Sequence, residues 1–118
     1  MSGAGMATAD QIYDKMMQAG EKAFGDGWSA VATYAPAEFR KMAIQIKEIA
    51  ENVARYKIDR NEGYSPDTGK LLLKMQRNAC ESVLVATTQL TLIAVQNAMD
   101  AMFEVLRKAF KGVFRSIL

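Results

Sequence analysis

Apolar residues recur at spacings of three and four along most of this chain, and no alternating run of the kind that makes a strand competes with them. Ile12, Met16 and Ala23, with Tyr13, Met17 and Phe24, mark a first amphipathic helix over about residues 8–24, with Thr8 or Asp10 as its cap. Gly25-Asp26-Gly27 interrupts it and sets a corner before a short segment, 28–34, that starts at Trp28. Pro36 suits the first turn of a second helix, 36–61, in which Phe39, Met42, Ile46, Ile49, Val53 and Tyr56 form a coiled-coil-like seam. Lys47, Glu48, Glu51, Arg55 and Lys57 lie off that seam on a solvated face, and Glu51 precedes Arg55 in the favourable i to i+4 order.

The run from Asp59 to Asp67 is the clearest break, and it reads as a hairpin loop. Gly63 closes the second helix, Ser65 caps the third and Pro66 takes its first position. After Pro66 there is no further proline, and the only glycines are Gly69 and Gly112, so the pattern predicts a third helix over 66–116. Unbroken to Leu118, such a helix would hold about 53 residues and reach roughly 80 Å, twice the roughly 39 Å of the second. The expected fold is all-α. It is a long antiparallel helical hairpin with a broken N-terminal arm and a long C-terminal helix, one domain over 1–118 with residues 1–7 as a flexible start.

The third helix raises a coverage problem. From Ser82 to Met99 it carries no charge, and Val83, Leu84, Val85, Leu90, Leu92, Ile93, Val95 and Met99 point in nearly every direction at 100° per residue. One antiparallel partner covers about a third of such a surface, and each exposed Leu, Ile or Val forgoes about 1.5–3 kcal/mol. The expectation is a helical bundle completed by oligomerisation, with Val83, Leu84, Leu90, Ile93, Val95 and Met99 at the contact. Thr87, Thr88, Gln89, Thr91, Gln96 and Asn97 interrupt the stretch and argue against a transmembrane span.

Further on, Met99, Met102, Phe103, Leu106, Phe110, Val113 and Ile117 share one face, with Arg107, Lys108, Lys111 and Arg115 opposite. A basic face against an aromatic one suits an anionic membrane surface or an acidic protein groove. Phe103, Arg107, Lys108, Phe110, Lys111, Phe114 and Arg115 are the candidates for that surface. The plainer reading is an ordinary surface helix whose last-turn cations meet the helix dipole.

Composition narrows the chemistry. The 118 residues are 50% hydrophobic and 24% charged, which fits one modest globular domain, and a net charge of +2 gives no reason to expect nucleic acid. There is no histidine, hence no imidazole base or ligand, and no Glu-x-x-His pair for a di-iron site. Glu48 and Glu51 stand among lysines and arginines as a solvated face, and Gly25-Asp26-Gly27 lacks the remainder of a dinucleotide fingerprint. Cys80, the only cysteine, reads as a small buried hydrophobe rather than a nucleophile, and Met16, Met17, Met42, Met75, Met99 and Met102, in the helical segments, as core filling. Neither a cofactor, a metal nor an enzymatic activity is expected. Met1 to Gly5 lacks the basic-then-apolar order of a signal peptide, so a cytoplasmic location, or export without a cleavable signal, is expected.

Ser65-Pro66-Asp67, Leu71-Leu72-Leu73, Met75-Gln76, the uncharged stretch and Gln96-Asn97 together resemble the C-terminal half of the small helical rod and needle subunits of bacterial type III secretion systems. The likeness covers about residues 65–106. It implies subunits packed in a helical array around a tube. The Gly-broken N-terminal region and the basic extension after Arg107 depart from that family.

Overall fold

Thr8 opens the first helix through a reciprocal cap: its hydroxyl accepts from the Gln11 amide at 3.1 Å, and the Gln11 side chain accepts from the Thr8 amide at 2.9 Å. The computed structural model describes residues 6–118, and its helices are α1 (Ala9–Phe24), α2 (Trp28–Val31), α3 (Ala35–Ile58), α4 (Pro66–Thr88), α5 (Leu92–Ala109) and α6 (Val113–Ile117). Most of the expected flexible start, residues 1–5, lies outside the described residues. Met6 and Ala7 pack against the core.

The fold is all-α, and no strand occurs among the described residues. The helix α1 ends at Gly25, and a 3-10 turn over Gly25–Gly27 leads into α2, which forms the expected corner. The seam of α3 is buried from Phe39 through Met42, Ile46 and Ile49 to Val53, and Tyr56 is half-buried. Arg55 does not pair with Glu51; its guanidinium donates to Asn52 Oδ1 at 2.8 Å. At the end of α3 the chain turns through Gly63 at φ +60°, where an added Cβ would lie 2.0 Å from the Asn52 carbonyl oxygen, so only glycine fits. Ser65 then caps α4 by accepting from the Thr68 amide at 3.2 Å.

The long third helix does not form. Two breaks divide it, at Gln89–Thr91 and at Phe110–Gly112. The Thr88 hydroxyl donates back to the Leu84 carbonyl and accepts from the Leu90 amide, Gln89 adopts the left-handed region at φ 64°, and Thr91 caps α5 by accepting from the Ala94 amide. Gln89 is the only non-glycine residue with positive φ among those described. Side-chain back-bonding by Ser or Thr competes with the helix ladder, and the Thr91 cap gives the chain a second start.

Packing energy favours the bend. A left-handed Gln89 costs about 1–2 kcal/mol. Folding α5 back buries Leu84, Val95, Met99, Met102 and Leu106 inside the same chain, each worth about 1.5–3 kcal/mol. Accordingly Gln89→Gly is expected to raise stability by about 0.5–1 kcal/mol in urea unfolding, because glycine takes this conformation without strain. In an unbroken helix the same change would cost about 1 kcal/mol, so a loss would contradict the bend.

With the chain reversed, α1, α3, α4 and α5 form a closed ring in which α1 packs on α3 and α5, α3 on α4, and α4 on α5. Neighbours run antiparallel. The Lys47 ammonium donates to the Ala7 carbonyl at 2.9 Å while Phe39 lies under Gly20, and Gly69 lies against Ile49 and Val53. Leu90 rests on Gly27. This is an up-down-up-down four-helix arrangement, 45 Å in its longest dimension, with a radius of gyration of 14.4 Å against about 13.5 Å for a compact chain of this length. At Gly112 (φ 69°) the chain turns again, and α6 packs across α3 and α4, with Ile117 over Gly69.

Candidate assembly site

The charge-free segment from Ser82 to Met99 becomes the end of α4, the Gln89–Thr91 turn and the first half of α5. The turn splits the six residues expected at an oligomer contact into two groups. Leu84, Val95 and Met99 are fully buried in the chain's own core and are not available to a second chain, because α5 finds its partners in α1 and α4. Val83 and Leu90 are half-buried, and Ile93 is 69% exposed. Leu92, which the sequence pattern did not single out as a contact residue, is 50% exposed in the first turn of α5. Its signal was the Thr91 cap immediately before it. Ala86, Thr87, Ala94, Gln96 and Asn97 are also exposed, so the α4–α5 turn and its flanks carry no charge and bear two large exposed aliphatic side chains.

The basic amphipathic stretch meets a different outcome. Phe103 and Phe114 are buried, and Phe110 is half-buried with its ring centroid 5.8 Å from that of Phe114. The expected aromatic docking face is thus turned inward, because α5 ends at Ala109 and the chain folds back after Gly112. Arg107 pairs with Glu104 and donates to the Leu118 carbonyl at 3.3 Å. Lys108, Lys111 and Arg115 are exposed.

A polar cluster that the sequence pattern had not singled out joins α4 to α5. Arg77 Nε donates to Glu81 Oε2 at 2.8 Å, its Nη2 pairs with Asp100, and its guanidinium carbon lies 5.1 Å from the centre of the Phe103 ring. Burial works against the Arg77 charge, but the hydrogen bonds and charges of Glu81 and Asp100 outweigh it and hold its pKa above the ordinary value. Glu81 is 3% exposed and is the buried charge in the core region. The i to i+4 spacing of Arg77 and Glu81 was visible; the second carboxylate, 23 residues on, was not. Beside this cluster a groove of about 480 Å³ runs between α4, α5 and α6, with Lys70, Lys74, Asn78 and Asn97 among its walls. Cys80 is buried in α4, its thiol pushed up to about 12 by burial and by Glu38 and Glu81, which leaves it protonated and unreactive at neutral pH.

Among the described residues no group of three or more His, Cys, Asp or Glu is placed to hold a metal ion, and no helix is long and apolar enough to cross a membrane. The chain is an all-α four-helix protein whose α4–α5 turn carries no charged residue. No protein family, curated protein or solved structure matches it.

Proposed function

We propose that this chain is a non-enzymatic assembly subunit that self-associates around its α4–α5 turn. The observation that carries the reading is the exposure of Leu92 and Ile93, 50% and 69%, inside a segment with no charged residue to keep neighbouring copies apart. Exposed aliphatic anchors in an uncharged surface suit contacts between copies. The partner is a second copy of the chain, which agrees with the resemblance to secretion rod and needle subunits, and no cofactor is involved. The single, buried cysteine fits a reducing compartment, which supports the reading of an assembly in the cytoplasm, or on an export route that needs no cleavable signal.

The alternative, a peripheral helix coating a membrane or granule, has less support, since Phe103 and Phe114 are committed to the core. Light scattering after size exclusion tests the proposal. The unmodified chain is expected to run above the mass of a single 13.0 kDa chain, and Ile93→Glu to run as a monomer with unchanged helicity. A monomeric parent, or an assembly that ignores Ile93→Glu, would remove the basis for this contact. Charge reversal at Lys111 and Arg115 is expected to leave the mass unchanged.

A further inference from the structure

Along α4, Lys70, Lys74 and Arg77 follow one another at helical spacing on one face, and all three line the groove between α4, α5 and α6. Like charges at this spacing repel each other on a helix surface, so each cation calls for a counter-charge. Arg77 has two, Glu81 and Asp100. Lys70 and Lys74 are exposed, and neither forms an ion pair among the described residues. Three cations against two carboxylates leave the groove lining with one uncompensated positive charge. The apolar part of the lining lies at the lysine end. Since α4 and α5 run antiparallel with Arg77 level with Asp100, Leu73 and Phe103 fall on the same side of that pair as Lys70 and Lys74. Ile117 joins them there, because it lies over Gly69. Leu73, Phe103 and Ile117 belong to the core and form the floor of this end, while Glu81, Gln96 and Asn97 line the opposite one.

We infer that the lysine end of this groove binds a small amphipathic carboxylate, a fatty or aryl-alkyl acid. Its head bridges the Lys70 and Lys74 ammonium groups, which stand one helical turn apart, and its apolar body lies over Leu73, Phe103 and Ile117. A single negative charge neutralises the lining, and Glu81 and Asp100 keep the head away from the far end. The volume of about 480 Å³ falls within the roughly 300–1,000 Å³ of small-ligand pockets, which pair an apolar lining with a few polar groups that fix orientation. Each methylene buried on the floor tightens binding by roughly fourfold. Leu92 and Ile93 are not part of this lining, so the site does not depend on the self-association reading.

Isothermal titration of the full chain with sodium octanoate, below its micellar range, tests the site. Octanoate is expected to bind once per chain. Acetate, which lacks the body, and octanol, which lacks the charge, are each expected to bind at least about tenfold more weakly. Lys70→Gln combined with Lys74→Gln should raise the octanoate dissociation constant by about fivefold or more with unchanged helicity. Lys108→Gln combined with Lys111→Gln, outside the groove, should leave it unchanged. Nuclear Overhauser contacts from the octanoate chain to the Ile117 methyl groups are expected to place the ligand. Absence of octanoate binding, equal affinity for octanol, a Lys70/Lys74 variant that binds like the parent, or contacts confined to another surface each overturns the inference. So does lysine-dependent sedimentation with vesicles of equimolar phosphatidylcholine and phosphatidylglycerol by a chain that ignores octanoate, which would assign the two lysines to a lipid surface.

Discussion

Arg77→Met is expected to destabilise the bundle by about 3 kcal/mol, roughly a 12 °C drop in melting temperature for a domain of this size. The reason is Glu81. Its carboxylate is 3% exposed and its nearest compensation is the Arg77 guanidinium at 2.8 Å, so methionine leaves a negative charge in the core region with no cation against it. Asp100, whose side chain is 67% exposed, contributes little by comparison, because water screens it. Replacing both partners, as in Arg77→Met with Glu81→Leu, is expected to recover most of the loss, since an apolar pair has no charge to strand. Thermal melts of the two variants decide the matter. A neutral single variant, or a double variant as unstable as the single one, would show that the Arg77–Glu81 pair does not support the bundle.

The second large effect belongs to Phe39. Its side chain is fully buried, its ring centroid lies 6.3 Å from that of Trp28, and it fills the space beneath Gly20, where an added Cβ would come within 2.9 Å of the ring. Phe39→Ala is expected to cost about 3–5 kcal/mol in urea unfolding, the range for emptying a site of this size. Phe39→Leu should cost much less, as it keeps most of the volume. A loss below about 1 kcal/mol for alanine would mean that α1, the corner and α3 close over the vacancy, contrary to the close packing normal in protein interiors. Both losses are large against the roughly 5–15 kcal/mol total stability of a small domain.

The positions of α1, the Gly25–Gly27 corner, α3 and the 59–65 loop were legible because their signals are local. Thr8, Pro36, Ser65 and Pro66 act within one turn of where they stand, and the seam from Phe39 to Val53 repeats without a fault. The bend at Gln89 carried only weak local signals. Thr87, Thr88 and Thr91 are all tolerated inside a helix, and neither glycine nor proline marks the turn. Similarly, the Met99-to-Ile117 face was legible as apolar, but its period could not say whether it met solvent, a membrane or the chain's own core.

The sequence by itself determined that the chain is helical, where its first half starts and stops, and that Ser82 to Met99 cannot be enclosed by one neighbouring helix. Only the tertiary structure decided how that demand is met. Reversal at Gln89–Thr91 gives α5 the cover of α1 and α4, so Leu84, Val95 and Met99 are satisfied within one chain while Leu92 and Ile93 are left outside. The physical reason is that helix propensity acts over a few residues with energies of tenths of a kcal/mol, whereas each apolar side chain buried between distant segments contributes several times as much. Burial of the α5 face, and not the local preference of residues 89–91, sets where the long helix breaks.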